Sequence, residues 1–183
     1  MIRFSHFLPP IISCLILFLI PFTGCLEQDW RPSYQTTYQV QVEHIIDGDT
    51  IIITLPNGTT DTLRFLGIDC PEIQTDHNHP REYGTITDLD CLSSFARIAR
   101  DKIDHLLNTS TIVIEFDNDA GLKDTYDRWL GYVYLLNGTD LNALLVKQGY
   151  ARVFTLESFY KKEAYLSFEE HAMENHLGIW SCS

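Results

Sequence analysis

Between Gln39 and Ile68 the chain reads QVQVEHIIDGDTIIITLPNGTTDTLRFLGI. Three segments of this run, Gln39 to Ile46, Thr50 to Leu55 and Thr60 to Ile68, are rich in β-branched and apolar residues. Asp47-Gly48 and Pro56-Asn57-Gly58 separate them. β-Branched side chains suit a pleated, half-buried surface, and glycine with its neighbours supplies tight reversals, so the run predicts a three-stranded meander. Working outward, a helix is predicted from about Asp90 to Leu107, with Leu92, Phe95, Ile98, Ile103 and Leu106 on one face. Strands follow at Thr111 to Phe116 and Trp129 to Leu136. A helix from Leu141 to Gln148 starts after the capping Asp140. A last helix runs from about Phe159 to Leu177, where Tyr160, Ala164, Phe168 and Ala172 recur every four residues.

The order βββαββαα, with five short strands and three helices, predicts an α+β, mainly β domain: a five-stranded Greek-key barrel of the OB type. At 183 residues, 45% hydrophobic and 12% aromatic, the chain is sized and composed for one packed domain. That composition excludes collagen-like, linker and multi-span membrane classes. A net charge of −12 argues against holding nucleic acid by a bulk positive field, so any phosphate chemistry must be local.

The N-terminus reads as an address. After Arg3 and His6 no charge appears until Glu27, and Phe7 to Phe22 is almost wholly apolar, the layout of a signal peptide over residues 1–24. The ending Phe22-Thr23-Gly24-Cys25 resembles a lipobox, which makes Cys25 the candidate lipidation site. An uncleaved anchor and an ordinary cleaved signal are the alternatives. All three place the domain outside the cytoplasm, attached to the cell membrane or secreted. Residues 25–37 are expected as a tether and 38–183 as the domain. Cleavage after residue 24 removes one arginine and no acid, leaving 12 basic and 25 acidic side chains, a net charge of −13.

If Cys25 carries lipid, Cys70, Cys91 and Cys182 permit one disulfide and one odd thiol. Cys70–Cys91 is the favoured pairing, because it would close a loop beside Glu72; Cys91–Cys182 and free thiols remain open. Three glycosylation sequons, at Asn57, Asn108 and Asn137, are taken as chance matches.

Chemistry concentrates in three places. Asp47-Gly48-Asp49-Thr50 stands at a strand junction, where glycine allows the flanking acids to project together, although alone it is an ordinary hairpin turn. Leu63-Arg64-Phe65-Leu66-Gly67-Ile68-Asp69-Cys70-Pro71-Glu72 sets an arginine in an apolar strand with carboxylates at its end. A half-buried arginine needs an anion, supplied either by a ligand or by an internal salt bridge. Asp124-Thr125-Tyr126-Asp127-Arg128 leads a second arginine into the aromatic strand Trp129 to Tyr134, where an edge-strand charge is the plainer reading.

Together, and in this order, the three segments resemble the staphylococcal nuclease, or thermonuclease, family from about Val40 to Trp180. The helix Leu141 to Gly149 and the closing Gly178-Ile179-Trp180 fit as well. The resemblance implies that Asp49, Asp69 and the backbone carbonyl of Cys70 bind one calcium ion, with Asp47 acting through water. These are the hard oxygen donors that calcium takes. It implies that Glu72 positions or deprotonates the attacking water, that Arg64 and Arg128 grip the phosphate, and that Tyr126 contacts substrate. The implied reaction is calcium-dependent hydrolysis of DNA or RNA phosphodiesters to 3′-phosphate products by a monomer.

The chain departs from the family pattern at Thr125, where a basic residue is implied, and at Thr155 and Glu157, where a stacking aromatic pair is implied. Phe159 is the candidate replacement platform. Asp76-His77-Asn78-His79 is read as a solvated loop with no ligand role, and Trp180 as a cap on the core. The competing reading is a surface OB module that binds nucleic acid or peptide without cleaving it.

Overall fold

The computed structural model describes residues 30–107 and 110–182. The expected export segment 1–24, the lipidation candidate Cys25 and the Asn108 sequon lie outside the described residues.

The meander folds as β1 (Thr37–Ile45), β2 (Thr50–Thr54) and β3 (Thr60–Phe65). Alternation sends Val40, Val42, Ile51, Ile53, Leu63 and Phe65 inward. A register irregularity between Val42 and His44 bends β1. With β5 (Thr111–Glu115) and β6 (Trp129–Tyr134) the sheet closes into a barrel in the order β1-β2-β3-β6-β5. All pairings are antiparallel except β3 with β6, which sets Arg64 opposite Leu130. This is the expected five-stranded OB-type α+β barrel with three helices. Because β6 lies between β3 and β5, the edge-strand reading of the Arg128 segment does not apply.

The third predicted strand does not run on to Ile68. It breaks at Leu66-Gly67, and Ile68–Asp69 forms a separate β4 that pairs antiparallel with β7 (Arg152–Val153), setting Asp69 opposite Arg152. Gly67 takes φ 75°, and a Cβ there would lie 2.5 Å from the Phe159 ring, so the turn needs glycine on both counts.

Of the helices, α1 spans Leu89–Leu107, α2 Leu141–Lys147 and α3 Lys162–Glu174. Asp140 caps α2, its Oδ1 accepting from Ala143 N–H at 2.9 Å. Two predicted faces are displaced. On α1, Leu92 and Ile103 are buried, with Ala96, Ala99 and Leu107 beside them, while Ile98 faces solvent. On α3 the buried residues are Tyr165 and Ala172, and Tyr160 is 84% exposed, since the chain before Lys162 has not yet entered the helix. Among the described residues, no helix is long and apolar enough to cross a membrane.

Trp30, in the segment expected as tether, packs its ring against Tyr38, Phe116 and Trp129. A second, smaller core gathers Tyr83, Ile86, Leu92, Ala172, Ile179 and Trp180, so Trp180 belongs to this satellite rather than to the barrel interior.

The disulfide beside that satellite joins Cys91 to Cys182, correcting the Cys70–Cys91 pairing. Cys91 opens α1 next to the C-terminal turn Gly178–Ser181, whereas Cys70 is buried and free beneath Gly48 and Ala99.

Candidate active site

The acidic hairpin between β1 and β2 is fastened to the end of β4. A Cβ on Gly48 would stand 2.7 Å from Cys70 Sγ, a closeness only glycine permits. Asp47 Oδ1 accepts from Asp49 N–H at 3.0 Å, which tightens the turn. Asp49 is 1% exposed. Its Oδ2 accepts from Cys70 N–H at 2.5 Å, and its Oδ1 accepts from Thr50 Oγ1 at 3.1 Å and from Arg64 Nη1. Arg64 Nη2 donates to Asp69 Oδ1 at 2.7 Å and to the Ile68 carbonyl at 3.3 Å. One guanidinium thus ties both strand-end carboxylates together, and the internal salt bridge weighed from sequence is present.

Burial pushes the Asp49 carboxyl up to about 7; Arg64 pulls it down, and Asp47 and Asp69 push it up again. Burial works against the charge on Arg64, but Asp49 and Asp69 more than reverse this and hold the guanidinium firmly protonated.

Glu72 follows, exposed, in an irregular segment, yet the surrounding protein, and after it Asp47, raises its carboxyl above the ordinary range. Its backbone is held by Asn78, a residue read from sequence as part of a solvated loop and here 2% exposed. Asn78 Oδ1 accepts from Glu72 N–H at 2.9 Å, and Nδ2 donates to the Glu72 carbonyl at 2.8 Å and to Ser93 Oγ at 3.2 Å. His77 and His79 are exposed.

Beyond Arg64 opens a cleft of about 230 Å³ that also meets Tyr126, Arg128, Phe154 and Glu157. Asp124 organises its far wall: Oδ1 accepts from the N–H groups of Tyr126 and Arg128 at 2.9 Å each, and Oδ2 accepts from Arg128 Nε and Nη2 at 2.7 Å. Burial opposes ionisation of Asp124, but these hydrogen bonds prevail and hold its carboxyl below the ordinary range. The Arg128 guanidinium lies 5.4 Å from the centre of the Tyr126 ring, which is 79% exposed.

Phe159 cannot serve as a stacking platform. It is 4% exposed, wedged over Gly67 and against Tyr165. Glu157 does line the cleft; burial raises its carboxyl, and Arg64 lowers it again.

Among the described residues, no three acidic, histidine or cysteine side chains are drawn into a ready-made metal cage; Asp49 and Asp69 turn onto Arg64. The donors still fit a hard divalent cation. They are carboxylate oxygens with the Cys70 backbone alongside, and burial holds the Asp49 carboxyl above its ordinary value despite Arg64, so a nearby cation would favour its ionised form.

Sequence reasoning missed Arg152. Its Nε and Nη2 donate to Asp69 Oδ2 at 2.8 and 2.7 Å, and its Nη1 donates to the Glu82 carbonyl. The one signal was a basic residue in a short apolar segment after Gly149, and nothing in it points 83 positions back to Asp69.

The family model for staphylococcal nuclease homologues matches residues 62–182. An uncharacterized protein of Methanocaldococcus jannaschii is 38% identical over 92% of this chain and 94% of its own length. A thermonuclease of Staphylococcus hyicus is 31% identical over 80% of this chain and 77% of its own. An endonuclease of Bacillus subtilis is 32% identical over 79% of this chain, which spans 62% of that longer protein.

Proposed function

The chain belongs to the staphylococcal nuclease family, and from that premise we propose that it is a calcium-dependent nuclease that hydrolyses DNA or RNA to 3′-phosphate products outside the cytoplasm. The observation that carries this reading is the shared position of Arg64. It pairs with the carboxylates of Asp49 and Asp69 and also lines the cleft that holds Arg128 and Tyr126.

A phosphodiester in that cleft meets a guanidinium on each side. Arg64 and Arg128 offer planar forks to the non-bridging oxygens, which gain charge as the transition state forms. Asp124 holds Arg128 through Nε and Nη2, fixing the plane of the fork before substrate arrives. Tyr126 gives the sugar or a neighbouring base a broad exposed ring. Glu72 takes a proton from the attacking water; the oxygen bonds to phosphorus, the bond to the 5′ oxygen breaks, and that oxygen is protonated from solvent. A carboxyl raised above its ordinary value is a better base than a free one. Asp49, Asp69 and the Cys70 carbonyl, with Asp47 through water, would hold the calcium, whose charge would help neutralise the phosphate oxygens.

The location rests on sequence pattern: the apolar run Phe7 to Phe22, followed by Cys25 as the lipidation site, supports an enzyme tethered by lipid outside the cytoplasm. The test incubates the full chain with single-stranded DNA and RNA, with calcium and then with a chelator. Calcium-dependent cleavage leaving 3′-phosphates, with Glu72→Gln losing most turnover but keeping calcium-dependent binding, is the expected result. A folded protein that binds and never cleaves makes it a binding module.

A further inference from the structure

Asp69 is gripped at both oxygens. Arg64 takes Oδ1 at 2.7 Å, and Arg152 takes Oδ2 through Nε at 2.8 Å and Nη2 at 2.7 Å. The second grip is built into the fold, since the β4–β7 ribbon registers Asp69 directly opposite Arg152. Arg152 is itself fixed. Its Nη1 donates to the Glu82 carbonyl, Nη2 lies 3.4 Å from Glu82 Oε1, and the guanidinium stands 4.7 Å from the centre of the Tyr83 ring. Tyr83 adds a longer contact from its hydroxyl to Asp69 Oδ2 at 3.4 Å.

The geometry points to Arg152 as a positioning residue that holds the Asp69 carboxylate in the plane from which it binds the catalytic cation; this rests on the calcium-dependent reading above. Each carboxylate oxygen has two lone pairs: Arg152 fills Oδ2 with two donors and sets the plane, while the single Arg64 donor on Oδ1 leaves that oxygen a pair for a metal. Without Arg152, Asp69 keeps only the Arg64 bond at Oδ1 and the long Tyr83 contact at Oδ2, and turns more freely about its own bond. The ordering cost then falls on the binding step. Outer groups that orient metal ligands typically matter by about 10- to 100-fold in affinity. The guanidinium also sets a positive charge near the ion. Loss of Arg152 therefore weakens calcium binding, because orientation outweighs repulsion.

The test is calcium binding to the full chain by titration calorimetry, without substrate, for the wild type, Arg152→Gln, Arg152→Lys and Asp69→Asn. The expected result is about a 10- to 100-fold weaker dissociation constant in Arg152→Gln. A smaller loss is expected in Arg152→Lys, which keeps the charge and not the fork, and Asp69→Asn loses binding. At saturating calcium, turnover by Arg152→Gln should return to within about threefold of wild type, a split between affinity and rate that mere loosening of the fold does not produce. If Arg152→Gln unfolds, Arg152→Lys carries the comparison. Unchanged or tighter calcium binding in a folded Arg152 variant overturns the positioning role while the calcium reading stands. A wild type that takes up no calcium overturns both.

Discussion

The side chain of Asn78 spans the backbone of Glu72 at both ends, accepting from its N–H at 2.9 Å and donating to its carbonyl at 2.8 Å. Asn78 is buried, so Asn78→Ala strands these groups together with a bond to Ser93. The expected cost is about 2 kcal/mol of stability, from the desolvation of unpaired groups. Because Asn78 sets where Glu72 stands, turnover should fall roughly tenfold with little change in KM. Denaturant unfolding and initial rates check both; a rate equal to wild type in a destabilised protein removes Asn78 from the mechanism.

Arg128→Lys keeps a charge but loses the fork and its two contacts with Asp124 Oδ2. A single ammonium cannot hold two phosphate oxygens and remain anchored, so turnover should fall by about 10- to 100-fold. Asp124→Asn should move in the same direction, because it frees the guanidinium it now orients. Unchanged hydrolysis by Arg128→Lys would reject the phosphate-clamp role.

The barrel and the residues around Arg64 were legible because their signals are local. β-Branched runs punctuated by Asp47-Gly48 and Asn57-Gly58 mark strands, and an arginine in an apolar strand must meet an anion. Asn78 and Arg152 carry no such mark. Each is a polar residue whose role is set by a contact made only when distant segments meet, Arg152 across the β4–β7 ribbon and Asn78 across a compact insert. The α3 face was misplaced because Phe159 is drawn into the barrel by the space above Gly67, which ends the preceding loop three residues later than periodicity suggests. The disulfide was misread for a similar reason: loop closure in sequence favoured Cys70, while packing brought the C-terminal turn to Cys91.

The Cys91–Cys182 bridge spans 91 positions, so its loss releases a long loop in the unfolded chain. The chain-entropy estimate for a loop of that length is about 4.6 kcal/mol. Reductant, or Cys91→Ser, should lower the unfolding midpoint strongly, and Cys70→Ser should leave the response to reductant unchanged, since Cys70 is free. The barrel does not contain the bridge, so hydrolysis at low temperature should persist after reduction. An equal midpoint with and without reductant would contradict the pairing.

Glu157 sets a carboxylate in the same cleft as Arg64 and Arg128, where it competes with a phosphate for their charge. Burial raises its pKa above the ordinary 4.5, with Arg64 offsetting part of the rise. The folded state therefore favours the protonated acid. Its contribution to stability is fully present below the unfolded value and is lost as pH rises through the folded one. The same titration acts on binding: above the folded pKa the negative charge is present and repels substrate, and below it the charge is gone. KM for a short oligonucleotide should therefore rise as pH climbs through that raised pKa and level off above it. Glu157→Gln, neutral throughout, should flatten that profile and lower KM at neutral pH by about threefold to tenfold, the effect of removing one half-buried like charge. Turnover should move less than KM, since Glu157 acts on substrate charge in the cleft wall while Glu72 is the proposed base. A KM in Glu157→Gln that still rises with pH as in the wild type would assign the dependence to another group and leave Glu157 as a bystander in the cleft wall.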